Sequence, residues 1–202
     1  MSPDMLPWIL ARAGGIVAYL LLAGAMAAGL MVRSRTRVLG LTPGQLVAAH
    51  GQLSLLALVA VGVHGASLVA DTFVDVSPLA LVVPGLVPYR AFWTALGVIG
   101  MELLLIVQVT SRIRGHIGVR AWRRLHMLAY GAFALATVHG ITAGTDTGRP
   151  WVLAMYASAV GIIAALTTWR VARAPRRSTR RRQARKDGVV GPATATHGGP
   201  GV

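Results

Sequence analysis

Six histidines occur in the sequence, and four of them stand in stretches with few other polar side chains: His50 and His64 in one, His126 and His139 in another. An imidazole pairs a nitrogen that donates a proton with one that offers a lone pair, so it can bridge helices or ligate a metal. Ionisable groups inside an apolar medium are costly and mark functional positions. An interhelical hydrogen bond accounts for any one of them. Four, spaced 14 and 13 residues apart on two segments, suggest chemistry that uses imidazoles two at a time. His116 falls in a basic loop and His197 in the C-terminal tail, and both are read as solvated.

On α-helices these spacings correspond to rises of ~21 and ~20 Å. If the two segments run in the same direction, the histidines fall at two common heights, with His50 facing His126 and His64 facing His139. Each pair can supply two axial imidazoles to one iron, so two stacked haems would bridge most of a bilayer. The azimuths are less even. Fourteen residues return to within ~40° of the start, whereas thirteen leave an offset of ~140°. The second ligand helix is therefore expected to be over-wound, tilted or bulged between its histidines. Gly51, Gly62, Gly65, Gly131 and Gly140 lie close by and would give a flat macrocycle room to approach the backbone; glycine is also common in membrane helices generally.

The elements that must position these residues follow from composition. Hydrophobic residues make up 54% of the 202 and charged ones 13%, about half the charge of a soluble domain. Five apolar stretches are long enough to span, at roughly 20 residues each: 8–32, 43–70, 91–110, 122–144 and 150–171. No period-two alternation marks the strands of a barrel, so the expected fold is an all-α integral membrane bundle of five transmembrane helices. Thr42 and Pro43 read as N-cap and first residue of the second span. Trp8, Trp122 and Trp151 sit at span ends, where their amphipathic rings favour the interface. The first span is preceded by Asp4 and by no basic residue, and it is too long for a cleavable signal. Between Asp71 and Arg90, the apolar run 76–87 is interrupted by Pro78 and Pro84 and reads as an interfacial or re-entrant lid.

The net charge is +14, which in a soluble chain would suggest nucleic acid. Here the cations cluster at alternate span ends: Arg33, Arg35 and Arg37; Arg112, Arg114, Arg120, Arg123 and Arg124; and a run from Arg170 to Lys186. The opposite ends carry Arg12, Arg90 and Arg149 with Asp4, Asp71, Asp75 and Asp146. That asymmetry puts the N-terminus outside and the C-terminus in the cytoplasm and gives nucleic acid no role; 19 Arg against one Lys, with abundant Ala and Gly, is typical of a GC-rich bacterial genome, so the expected location is a bacterial inner membrane. Residues 7–172 form the expected membrane domain, and 173–202 a basic, Gly/Pro-rich, disordered cytoplasmic tail lying on anionic headgroups. There is no cysteine, so thiolate and iron–sulfur chemistry drop out.

The segment Trp122-Arg-Arg-Leu-His126-Met-Leu-Ala-Tyr130, followed by His139, together with the histidine pair on the second span, resembles the ferric-reductase-like transmembrane domain family. That family includes NADPH oxidases, metalloreductases and the haem subunit of a bacterial periplasmic methionine sulfoxide reductase. The likeness extends over residues 7–172. It implies two haem b groups ligated by His50, His64, His126 and His139, and electron passage from the cytoplasm to the outer face. Two features depart from it: members with six spans have one more than this chain, and Met127 stands where many relatives have a basic residue. About 30 residues follow Val171, fewer than a domain needs and without a glycine-rich fingerprint. The expected protein is therefore an oxidoreductase membrane subunit whose donor is a separate flavoprotein reductase or a quinol. Its acceptor would be ferric iron, dioxygen, a quinone or a periplasmic partner.

Haem propionates are anionic and want cations. Arg123 and Arg124, beside His126, and Arg12 and Arg90, near the height of His64 and His139, are the candidates; Arg120 reads rather as a topology signal. Glu102, in the middle of the third span, is read equally as a proton relay or as a hydrogen-bonder between helices. Phe133, between the two histidines of the fourth span, is placed to fill the space between the haems or simply to pack. Two rival readings stay open. One is a non-redox anchor, assembly factor or small transporter with interhelical histidines. The other is a quinol-linked cytochrome of an unrelated four-helix family.

Overall fold

The computed structural model describes residues 5–32, 40–72 and 74–173. The basic cluster 33–37, Asp4 and the tail beyond residue 173, including His197, lie outside the described residues. Among the described residues seven α-helices are seen: α1 (Met5–Met31), α2 (Pro43–Ala70), α3 (Ala91–Arg112), α4 (Arg114–Ile117), α5 (Val119–His126), α6 (Leu128–Ala143) and α7 (Pro150–Ala172). α5 and α6 continue one another, so five elements are long and apolar enough to cross a membrane, as the hydropathy of the sequence predicts. There is no strand among the described residues. The chain is a multi-pass, all-helical membrane protein.

Local signals set the helix ends. Thr42 caps α2 through a reciprocal box: its amide donates to Gln45 Oε1 at 2.9 Å, and its hydroxyl accepts from the Gln45 amide at 3.3 Å. Pro43 and Pro150 occupy first-turn positions, where a missing amide proton costs nothing. Gly118, at φ +79°, makes the left-handed turn that lets α4 hand over to α5. The loop between α2 and α3 does not span. Pro78–Leu81 form a 3-10 turn, and Val76, Ala80 and Val87 build a small separate core against Leu68, Val69, Val74 and Leu81.

α1 is the most enclosed helix. It buries Ala18, Tyr19, Leu22, Ala25, Met26, Ala28 and Leu30, and its glycines and alanines let neighbouring backbones approach. α1 and α2 form one antiparallel hairpin, and α3 with α5–α6 a second; α7 packs beside α1. Both hairpins begin at the same end of the bundle, so the two histidine-bearing helices run in the same direction. Between the two histidine heights lies an aromatic layer. Tyr19 stacks on Phe133, with ring centres 5.6 Å apart, and meets Tyr156 at 4.6 Å. The Tyr19 hydroxyl is 3.1 Å from Thr137 Oγ1, so this buried polar atom is satisfied. Phe133 thus belongs to the packed core of the bundle.

The break between α5 and α6 falls at Met127. There the Met127 amide donates to Arg124 O at 3.2 Å and the Tyr130 amide to Met127 O at 3.1 Å, both three residues back. Each residue wound to 3-10 geometry turns ~20° further than in an α-helix. The tightening therefore reduces the azimuthal offset between His126 and His139, in the over-wound sense expected.

Candidate functional site

The four histidines meet in two pairs. The ring centres of His50 and His126 are 6.0 Å apart at an interplanar angle of 75°, and those of His64 and His139 are 6.3 Å apart at 73°. These are the pairs expected from helix rise.

Three of the rings are held in the same way by the helix behind them. His50 Nδ1 lies 2.8 Å from Ala25 O, His64 Nδ1 2.7 Å from Ala11 O, and His139 Nδ1 3.0 Å from Trp93 O. A carbonyl only accepts, so Nδ1 must carry the proton and donate it. In the neutral ring Nε2 carries the lone pair, and it makes no hydrogen bond among the described residues. A glycine follows each carbonyl by four positions. A Cβ placed on Gly29 would stand 3.0 Å from His50 Nδ1, one on Gly15 3.3 Å from His64 Nδ1, and one on Gly97 2.7 Å from His139 Nδ1. In a helix the carbonyl at i bonds the amide at i+4. Glycine at i+4 leaves that carbonyl's second lone pair open to an imidazole from outside. The fourth ring differs: His126 Nδ1 is buried with no hydrogen-bond partner, and the ring lies 5.2 Å from that of Trp122.

The glycines singled out by their nearness to the histidines have other neighbours. Gly65 faces Leu81, Gly131 faces Leu103 and Gly140 faces the Tyr156 ring, while Gly51 and Gly62 have open space around them. The glycines that matter to the rings, Gly15, Gly29 and Gly97, lie on the partner helices. One signal for them is legible in the sequence: Gly15 and Gly29 are 14 apart, the same step as His50 and His64.

The cations are divided between several roles. Arg12 is ion-paired with Asp146, its Nε donating to Oδ2 at 2.8 Å, and its guanidinium lies 4.1 Å from the Trp8 ring centre. Arg149 Nε approaches the same carboxylate at 3.4 Å. Together they tie α1 to the α6–α7 turn. Arg90, whose own backbone is left-handed at φ 46°, donates to Thr142 O at the end of α6. Arg123 and Arg124 are exposed on α5. Glu102 is half-buried in α3 and has no hydrogen-bond partner among the described residues.

Among the described residues, no three His, Cys, Asp or Glu side chains cluster as a metal cage. What the protein offers is pairs of facing imidazoles, one from each hairpin. Such a pair suits a metal that brings its remaining ligands with it. Comparison with curated proteins and with solved structures finds no match. A protein-family model, ferric reductase like transmembrane component, matches residues 14–137, which include His50, His64 and His126 and end two residues before His139. The match spans well over half of the chain, and the chain belongs to the ferric reductase-like transmembrane family.

Proposed function

We propose that this chain is a transmembrane b-type cytochrome holding two haems, one between His50 and His126 and one between His64 and His139. It would pass electrons from a cytoplasmic or membrane donor, a separate flavoprotein reductase or a quinol, to an acceptor at the outer face. That acceptor is ferric iron, dioxygen, a quinone or a periplasmic partner. The observation that carries this reading is the facing of the imidazoles in two pairs, with Nδ1 of three of the four rings bonded to the helix behind.

The fit can be tested on distance. A metal–imidazole bond of ~2.0 Å would put each ring centre ~3.2 Å from a metal held between the two, so the centres would lie up to ~6.4 Å apart. The observed 6.0 and 6.3 Å agree. A histidine–histidine hydrogen bond would need a donor at Nε2, and in the His64/His139 pair both rings already carry the proton at Nδ1. The interhelical hydrogen bonds to Ala11, Ala25 and Trp93 are what the non-redox reading also expects. They leave Nε2 of those three rings without a partner, and a haem iron held between each pair would use it.

When bound, haem supplies a one-electron couple, its iron cycling between ferric and ferrous. The protein supplies the rest. Carbonyls of α1 and α3 orient the rings and raise their basicity as ligands. The hairpins set the two pairs ~21 Å apart along α2. Tyr19, Phe133 and Tyr156 fill the layer between them and exclude water. Arg12 and Arg90 at one end, and Arg123 and Arg124 beside His126 in sequence, are the candidates to neutralise propionates. The charge asymmetry supports a multi-pass topology in a bacterial inner membrane, with the Arg112 end and the 173–202 tail cytoplasmic.

The deciding experiment is a dithionite-reduced minus oxidised spectrum of purified protein with haem quantified per chain. The expected result is two haems b per chain, falling to one in His64→Ala. Colourless protein from haem-replete cells would favour the anchor or transporter reading instead.

A further inference from the structure

The hairpin α1–α2 repeats its device at a step of 14 residues: Ala11 and Gly15 hold His64, and Ala25 and Gly29 hold His50. On α3, Trp93 and Gly97 hold His139. The same step along α3 leads to Val107 and Ser111, which lie at the level of α5 where His126 stands. There the device is altered. Ser111 occupies the glycine position, and its hydroxyl donates to Val107 O at 2.7 Å. The neighbouring Thr110 hydroxyl donates to Ile106 O at 2.6 Å and lies 3.2 Å from Val107 O. Trp122 Nε1 donates to Ser111 Oγ at 3.2 Å, holding the hydroxyl in place, and stacks its ring toward His126. The buried Nδ1 of His126 is left with no partner.

We propose that Ser111 is a positioning residue that withholds the Val107 carbonyl from His126, making His126 the one ligand of the four without a carbonyl partner and setting the two haem sites apart electronically. This rests on the haem reading above. The Ser111 hydroxyl occupies the carbonyl's second lone pair, and a side chain stands at the position that is glycine in the three other cradles. An imidazole whose Nδ1–H donates to a carbonyl is a more basic ligand and stabilises ferric iron. His126 lacks that bond, so the His50/His126 site holds ferrous iron relatively better than it would with the glycine arrangement, and its midpoint potential is raised.

The test uses full-length, haem-loaded protein labelled with 15N-histidine and reduced with dithionite, where low-spin iron is diamagnetic. Wild type should show three ligand Nδ1–H protons at hydrogen-bonded, downfield positions and one, from His126, upfield. Four equivalent downfield protons would overturn the proposal, whatever happens to the variants. In the His64→Ala background, which keeps only the His50/His126 pair, Ser111→Gly should move that proton downfield and lower the midpoint potential. Ser111→Ala, which retains Cβ, should leave both near the parent values. A haem-loaded Ser111→Gly protein with unchanged potential and unchanged proton shift would also sink the idea. A parent protein that binds no haem would instead defeat the haem reading, so the two failures are distinct.

Discussion

Replacing Gly97 with alanine should force the His139 imidazole off its carbonyl. The new Cβ would stand 2.7 Å from Nδ1, 2.8 Å from Cε1 and 2.9 Å from Cγ of that ring. Ordinary contact begins near 3.4 Å, so the ring must retreat by about 0.7 Å, taking its 3.0 Å bond to Trp93 O toward about 3.7 Å, beyond hydrogen-bond range. Losing the outer-shell partner of a metal-bound histidine typically costs 10–100-fold in affinity, or about 1.4–2.7 kcal/mol. The expected phenotype is faster loss of the haem at the His64/His139 site, with the other haem retained. It is read as haem per chain after purification and as the rate of transfer to a haem scavenger. Gly161→Ala is the control: it is a helix-interior glycine with nothing within 4 Å, and alanine there should stabilise by up to about 1 kcal/mol without affecting haem. If Gly97→Ala kept both haems with unchanged release kinetics, the carbonyl-and-glycine cradle would have no bearing on ligation.

The same reasoning ranks the other cradles. Gly29→Ala, with a Cβ at 3.0 Å from its ring, should weaken haem retention at its site more than Gly15→Ala at 3.3 Å, and both less than Gly97→Ala; equal effects would mean that ring approach is not the cause. A double-mutant cycle on Arg12 and Asp146, by thermal unfolding in detergent, should give about 1 kcal/mol of coupling. If the Arg12→Ala spectrum and midpoint potential stay unchanged, its role is the tie to the α6–α7 turn and not a propionate. Glu102→Gln should leave haem content and both midpoint potentials at wild-type values, since Glu102 touches neither pair; a shift in either potential would reopen its role as a relay. Thr42→Ala should cost about 1 kcal/mol through the lost cap of α2, measured by the same thermal assay.

Five spans, their limits to within a few residues, the cap at Thr42 and the pairing of His50 with His126 and His64 with His139 are all legible in the order of the amino acids. Each rests on a one-dimensional property: apolar length, a local hydrogen-bonding motif, or rise per residue along parallel helices. The family likeness is legible on the same histidines and the Trp122–Tyr130 segment, and the family match bears it out.

Azimuth is not legible in the same way. In a soluble helix the apolar stripe tells which face is inward, but here lipid and core are both apolar, so hydropathy gives the length of a helix and not its facing. That is why the glycines nearest the histidines along the ligand helices are not the ones touching the rings. The sequence by itself determined how many helices cross and at what heights the imidazoles lie. Only the tertiary structure decided that α1 and α3 stand behind them, that Ala11, Ala25 and Trp93 orient three rings through open carbonyls, and that Ser111 leaves the fourth without one. A helical carbonyl becomes a partner only when a neighbouring backbone comes close enough, and that closeness is a property of packing.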